Sequence, residues 1–435
     1  MVRMSRQLCF VLVVVVACGT AVFGGGNVAS RLGGGNFGPG RVEETARKFE
    51  ILRAIGAGMC RVTVSENEYY PAHTKMPRPE RFDALILQAY KYGVTPMILF
   101  EYYTRWNGPL GGHEKWYAVG KAFAERFAPD SAWLQSQGIR GWGVTFYSAI
   151  NEPMWKANNP TPIDPADYAA ALEGLADGVH AVDPALHVSP GGYQEIPLLR
   201  DNPYGPAVAH LFNNGKLSAI DIHRYYDVQY QPMYGTYRNS LQNQFDEVKK
   251  KWGITADILF YTTEFNFKKR LVDETEAARG LLTAIWDALG VVGNQGQPVT
   301  QFALPWNIFN TPGQDEHYGM SVQTDPWQPT ERGRVLQMVG RLTNGMTFVQ
   351  LDPRRTGVFV LEGGGKKMWV WQNRKGWTDR PGAEFVIAAL PPGTRQVRVF
   401  TSEGLLRTVA VPPEEDTCTV GNLPDEQTYM FVADR

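Results

Sequence analysis

Two glutamates in this chain stand at the ends of apolar, β-branched runs. Val144-Thr145-Phe146-Tyr147 leads through Ser148-Ala149-Ile150 to Asn151-Glu152-Pro153. Val, Thr and Ile favour a strand, and the proline cannot donate a ladder hydrogen bond, so Glu152 is expected at the C-terminal mouth of that strand. Asp257-Ile258-Leu259-Phe260-Tyr261-Thr262-Thr263 leads in the same way to Glu264-Phe265-Asn266. Two carboxyl groups delivered to the mouths of two strands are what glycoside hydrolysis needs, one as acid and base, the other as nucleophile.

The elements that must position them follow a regular rhythm. From Val42 onward, stripes of helical period alternate with short apolar runs at 59–64, 94–100, 187–190, 219–223, 258–263 and 300–306, besides the run ahead of Asn151. Counted from a weakly marked first strand near Val28, eight strands alternate with helix-length segments. Repeated β-then-α units imply parallel strands, and eight of them predict an α/β fold, a (β/α)8 TIM barrel over 41–345. Asp164-Pro165-Ala166-Asp167 has the form of a helix start, with a capping side chain followed by a proline in the first turn. Over 346–435 the segments become short, β-branched and punctuated by turns, with Gly363-Gly364-Gly365 as a hairpin tip. That pattern predicts a C-terminal antiparallel β-sandwich domain.

Residues 24–40 read as a glycine-rich linker and first barrel loop. Gly33-Gly34-Gly35-Asn36-Phe37-Gly38 satisfies the dinucleotide pattern G-x-G-x-x-G. No apolar strand leads into it, however, and Pro39-Gly40 interrupts the run into the next helix, so no cofactor is expected. The chain of 435 residues has a net charge of -1 and is 43% hydrophobic and 20% charged, which fits a folded protein and gives no support for a nucleic-acid partner. Residues 1–23 have the form of a signal peptide: Arg3 and Arg6 precede an uncharged run from Leu8 to Ala17. A secreted or periplasmic protein is expected. Val15-Val16-Ala17-Cys18 also resembles a lipoprotein cleavage box, with Cys18 as the residue to be lipidated. The run is short for a membrane span, and no later segment is apolar enough to be one. Of the remaining cysteines, Cys60 and Cys418 suit buried free thiols. Neither a disulfide framework nor metal-ligand spacing is present, so no metal is expected.

In a barrel the active site lies at the C-terminal strand ends. Glu101, Tyr102, Tyr103 and Trp106 follow the third expected strand, and Asn151, Glu152 and Trp155 the fourth. His223 and Tyr225 follow the sixth, Glu264, Phe265 and Asn266 the seventh, and Trp306 and Asn307 the eighth. Aromatic platforms with a few polar partners suit a carbohydrate substrate, whose sugars have apolar faces and a rim of hydroxyls. Any one of these aromatics could instead pack the barrel rim.

Asn151-Glu152-Pro153 and Thr263-Glu264-Phe265-Asn266 resemble the acid/base and nucleophile motifs of clan A retaining glycoside hydrolases, whose glutamates end the fourth and seventh barrel strands. The Thr-Glu-Phe-Asn form and His223-Arg224-Tyr225 look most like family 39, the β-xylosidase and α-L-iduronidase type, which also carries a β-sandwich. Families 5 and 30 are the alternative resemblances. The resemblance implies catalytic roles for Glu152 and Glu264. It also implies that Arg61 holds the nucleophile carboxylate or the sugar near it, Asn151 bonds the sugar 2-hydroxyl, and Tyr225 bonds Glu264. His223 would orient that cluster and Trp306 would floor the subsite where the bond breaks. Glu101, Tyr102, Trp155 and Asn266 are expected as further substrate contacts. Asp221, between Ile220 and Ile222, reads as a structural hydrogen-bond acceptor. Met154-Trp155-Lys156 departs from the family 39 pattern, which leaves the substrate open. A transglycosylase using the same site and a non-catalytic carbohydrate-binding barrel are the alternatives.

Overall fold

The computed structural model describes residues 27–38, 42–194, 202–226, 240–267, 273–310, 319–322, 328–352, 357–373, 382–424 and 427–434. The expected signal segment 1–23, with Cys18, lies outside them. Five strands form one parallel sheet in chain order: β1 (Gly33–Phe37), β2 (Met59–Val64), β3 (Thr95–Phe100), β4 (Phe146–Ala149) and β5 (His187–Pro190). A second parallel sheet holds β6 (Tyr193–Gln194), β7 (Ala219–Tyr226), β8 (Leu259–Phe267) and β9 (Thr300–Pro305). The sheets meet on both sides. Leu32, just before β1, bridges to Ala303 of β9 in parallel. Ser218, just before β7, donates its N–H to the carbonyl of Val188 in β5 at 2.8 Å. Met59, Met97, Ala219, Tyr261, Phe302 and Leu304, drawn from both sheets, pack in one buried cluster. Strands buried on both faces read as continuous apolar runs, which is why these were visible in the sequence.

The first strand lies later than expected. Val28–Arg31 is a 3-10 helix, and the glycine run read as a linker and loop is itself β1. A side chain at Gly34 would place its Cβ 1.9 Å from Ile308 Cγ1, so only glycine lets this strand come so close to the end of the next sheet. The helices fall between strands as predicted. Asp164 accepts hydrogen bonds from the Ala166 and Asp167 N–H groups at the start of Pro165–His180. Such a cap contributes about 1 kcal/mol. Ser240, Asp273 and Thr330 cap the helices Leu241–Trp252, Glu274–Leu289 and Glu331–Thr343 in the same manner. The helix expected around 115–137 is two, His113–Phe127 and Ala132–Ser136.

Short pairings at β10 (Phe309–Asn310), β11 (Ser321–Val322) and β12 (Gln328–Pro329) precede the last helix. A six-stranded antiparallel sheet follows, in the order β13 (Thr347–Asp352), β14 (Val358–Gly363), β15 (Lys366–Asn373), β20 (Gln427–Asp434), β17 (Gln396–Thr401), β18 (Gly404–Ala410). A two-stranded ladder of β16 (Phe385–Ile387) and β19 (Cys418–Val420) accompanies it. Gly363 and Lys366 pair across the expected hairpin tip. One face of the large sheet packs on the α/β part, where Phe359 stacks on Trp286 at 6.2 Å and Thr283 bonds Thr428 at 2.8 Å. The other face closes with the small ladder around Trp371, Phe385 and Phe431. Cys60 and Cys418 are buried free thiols, as expected. No helix among the described residues is long and apolar enough to cross a membrane.

Candidate active site

Strand β4 ends at Ala149, and the chain then turns sharply. Ile150 and Glu152 both take left-handed backbone angles (φ 64° and 45°), which L side chains adopt at a cost of about 1–2 kcal/mol each. Hydrogen bonds from Ile150 N–H to the Phe100 carbonyl (3.0 Å) and from Glu152 N–H to the Gly192 carbonyl (2.9 Å) hold the turn. Its effect is to aim the Glu152 side chain at β7 and β8. Glu264 reaches the same place from within β8. Side chains alternate across a strand, so Glu264 shares its face with Thr262 and Asn266, while Thr263 and Phe265 take the other in a regular pleat. The β7–β8 register shifts between Asp221 and Arg224, and the β8–β9 register shifts between Thr262 and Phe265. These irregularities bring Thr263 and Glu264 to one cluster.

Glu264 is held by three groups. Arg61 Nη2 lies 2.5 Å from its Oε1, the Tyr225 hydroxyl donates to its Oε2 at 2.6 Å, and His223 Nδ1 is 3.6 Å from Oε2. Glu152 Oε1 lies 2.8 Å from His223 Nδ1. Arg61 and His223 are each about 1% exposed, whereas the two glutamate side chains keep 12% (Glu152) and 10% (Glu264). The buried partners thus form a floor from which two carboxyl groups emerge.

The environments of the two carboxyls are opposite. Burial pushes Glu152 above the ordinary glutamate value, and the negative charge of Glu264 adds to it, against the pull of His223 and Arg61. Burial acts on Glu264 too, but the charges of His223 and Arg61, with hydrogen bonds from Tyr225 and Arg61, outweigh it and hold Glu264 below the ordinary value. Neighbouring carboxyls whose titrations are pushed apart are the usual mark of an acid and a nucleophile. Burial alone would lower His223, yet Glu264, the bond to Glu152 and Asp221 raise it.

A second layer orients the first. Thr263 Oγ1 donates to Asp221 Oδ2 at 2.6 Å and accepts from Arg61 Nη1 at 3.0 Å, and Thr263 N–H donates to Asp221 Oδ1 at 3.0 Å. With its one proton committed to Asp221, the Thr263 hydroxyl can only accept at the 3.1 Å contact with His223 Nε2. That nitrogen therefore carries a proton. Gly192 leaves the room: a Cβ there would stand 1.8 Å from His223 Nε2.

Most of the expected residues gather at this place. Arg61, Tyr225 and His223 touch the two glutamates, and the Trp306 ring lies 5.5 Å from the Arg61 guanidinium. Glu101 accepts from the Tyr103 hydroxyl at 3.0 Å, and Asn151 Nδ2 donates to that same hydroxyl at 3.3 Å. Asn151 Oδ1 is buried with no hydrogen-bond partner among the described residues. Trp155 is 45% exposed and stands at the rim, with its N–H on the Glu152 carbonyl at 2.9 Å.

Two expectations are corrected. Tyr102 is buried away from the cluster, its hydroxyl bonded to the Gly108 carbonyl at 2.8 Å, and its neighbour Tyr103 takes the place assigned to it. Asn266 is fully buried: its carboxamide accepts from Arg332 Nη1 at 3.0 Å and donates to the Trp306 carbonyl, so it sets Trp306 in place instead of meeting a ligand. Tyr103, Thr263, Asp221 and Arg332 were not singled out for these roles. The alternation of Asp221 with isoleucines signalled burial, but its contact with Thr263 joins positions 42 residues apart.

Glu152, His223 and Glu264 each offer a ligand atom, all within 4.8 Å of one another, a spacing that could hold a metal ion. Arg61 already supplies a positive charge at Glu264, and His223 carries a proton on the nitrogen facing Thr263. The arrangement needs no ion to balance its carboxylate.

Comparison with solved structures gives the fold a setting. The chain is similar to a family 39 glycoside hydrolase from the gut symbiont Bacteroides cellulosilyticus WH2, with TM-score 0.60 and 16% identity over 94% of this chain and 82% of that one. It is also similar to a glucosidase from Croceicoccus marinus (TM-score 0.60, 15% identity, 89% and 91% covered). A third likeness is to a family 51 α-L-arabinofuranosidase from Bifidobacterium longum (TM-score 0.57, 12% identity, 93% and 94% covered). No protein-family model and no curated protein matches the chain. The fold is thus that of known glycoside hydrolases, as the motif resemblance implied.

Proposed function

We propose that the chain is a retaining glycoside hydrolase built on a closed (β/α)8 barrel, with a β-sandwich domain beginning near residue 346. The observation that carries the reading is the pair Glu152 and Glu264, whose carboxyl oxygens approach within 4.8 Å and whose environments favour opposite charge states. A separation of roughly 5 to 5.5 Å between carboxyl groups suits double displacement, because no water fits between sugar and base. The seams at Leu32–Ala303 and Val188–Ser218 support barrel closure by β1–β5 and β7–β9, with β6 a short addition after β5.

In the first step Glu264 Oε attacks the anomeric carbon while Glu152 gives its proton to the departing glycosidic oxygen. Arg61 and Tyr225 keep Glu264 ionised and fixed for attack. In the second step Glu152, now a carboxylate, takes a proton from water, whose oxygen displaces Glu264 and releases the sugar with its configuration retained. Asn151 Oδ1 and Glu101 are positioned to accept from sugar hydroxyls, Trp306 offers the sugar an apolar face, and the exposed Trp155 suits the leaving-group side. Burial pushes Glu101 up to about 7 against the pull of Arg61, so a sugar hydroxyl would return hydrogen bonding that burial removes. Export directed by residues 1–23 would take the enzyme to extracellular or periplasmic carbohydrate.

A panel of aryl glycosides followed by NMR tests the reading. The expected result is release of one sugar class with the retained anomer as first product. An inverted first product would rule out double displacement, and transfer to added sugar in place of water would make the protein a transglycosylase.

A further inference from the structure

Asp221 makes no contact with either glutamate in the hydrogen bonds described above, and its sequence setting suggested a purely structural role. Its bonds say more. Both carboxylate oxygens are spent on Thr263, one on the N–H and one on the hydroxyl. This fixes the Thr263 proton and obliges His223 Nε2 to donate. One proton must also lie in the 2.8 Å contact between His223 Nδ1 and Glu152 Oε1. If that proton belonged to Glu152, it would be tied up in the bond to His223 and unavailable to a leaving group. Glu152 can present an acid proton on its other oxygen only if Nδ1 is the donor as well. His223 must then carry protons on both nitrogens.

We propose that Asp221, acting through Thr263, keeps His223 as an imidazolium that donates to Glu152 and counter-charges Glu264. Asp221 is a positioning residue in this account, and the inference rests on the acid and nucleophile roles given above. The charges balance: Arg61 and His223 are positive, Asp221 and Glu264 negative, and Glu152 neutral. A buried cluster that sums to zero avoids the cost of an uncompensated charge. The groups facing His223 are Glu152 from the loop after β4, Asp221 on its own strand at 3.9 Å, and Thr263 and Glu264 on β8. Arg61 stands behind Thr263 and Glu264, and Glu101, after β3, couples to Arg61 and Glu264. The direction in which His223 titrates agrees with the geometry.

Asp221→Asn separates this role from mere scaffolding. The amide nitrogen would replace Oδ2 and donate to Thr263 Oγ1, turning the threonine proton toward His223 Nε2. His223 would become neutral with its single proton on Nδ1. Its bond to Glu152 would survive, but of the two cations beside Glu264 only Arg61 would remain. Nitrogen-15 spectra of the full chain labelled in histidine read this directly, with His223→Gln to assign the signal. The expected result near pH 7 is two protonated ring nitrogens for His223 in the wild type and in Thr263→Ser, and one, Nδ1, in Asp221→Asn. The acid limb of kcat/KM in Asp221→Asn should also move to higher pH by about one unit, since Glu264 loses a neighbouring cation. A neutral His223 in the wild type at that pH would overturn the proposal, and so would an imidazolium that persists in Asp221→Asn. A neutral His223 in the wild-type spectrum would overturn the proposal even if the variant does not fold. The spectrum also stands apart from turnover, whose absence would instead refute the glycosidase reading.

Discussion

The parallel strands are buried along nearly their whole length, whereas the large antiparallel sheet buries its central strands and leaves much of β13 and β18 exposed. The two kinds of sheet also use their strand ends differently. In the large antiparallel sheet, Phe359, Leu361, Met368, Val370, Met430 and Val432 face the α/β part. The residues between them, Val360, Trp369, Trp371, Tyr429 and Phe431, face the two-stranded ladder. Hairpins send successive strand ends to opposite edges, so no edge collects many side chains. Parallel strands linked through helices all end on the same side. Glu152, His223, Tyr225 and Glu264 converge there from β4, β7 and β8, and Arg61 rises to meet them from β2. Buried strands form a support in one region and bring the candidate site together in the other, and connectivity makes the difference.

The widest gap between the two regions should come from Glu264→Gln. The substitution keeps the shape of the side chain but replaces one accepting oxygen with an amide nitrogen and removes the charge of the proposed nucleophile, so kcat should fall by at least about 10⁴-fold. The melting temperature should move little by comparison. Kinetics beside a thermal melt would check both, and substantial residual turnover would take the nucleophile role from Glu264. Phe431→Ala tests the other side. Phe431 is fully buried and stacks on Phe385 at 4.8 Å, so its loss should cost about 3–5 kcal/mol in denaturant unfolding. The kcat of the folded fraction should stay as it was. A fall in kcat without loss of stability would show that the antiparallel sheet takes part in the chemistry, and the comparison would fail.

The sequence shows strands and charged ends more readily than the contacts between them. Glu152 and Glu264 were legible because each closes a β-branched run, and in Asn-Glu-Pro the proline marks where pairing stops. The β1 strand was hidden because three consecutive glycines carry no strand preference. Gly33 and Gly34 are there for close approach, to Met59, Leu304 and Ile308, which only the fold defines. Tyr102 and Tyr103 are adjacent and chemically alike, and the loop alone decides which one turns inward. Asn266 shared a motif with Glu264, but whether its carboxamide met open space or Arg332 depended on a helix 66 residues away. Asp221 showed its burial through alternation. Its route to Glu152 through Thr263 and His223 is a chain of contacts between three strand segments, which no local pattern encodes.

The most direct test of the division of labour between the two glutamates is azide rescue of Glu152→Ala with an activated aryl glycoside. Such a substrate needs little protonation, so Glu264 should still form the glycosyl-enzyme, which then stalls for want of a base. Azide should enter the space left by Glu152, restore turnover and give a glycosyl azide of retained configuration. An azide product of inverted configuration from this variant would mean that Glu152 is the nucleophile and that the roles assigned to the pair are reversed.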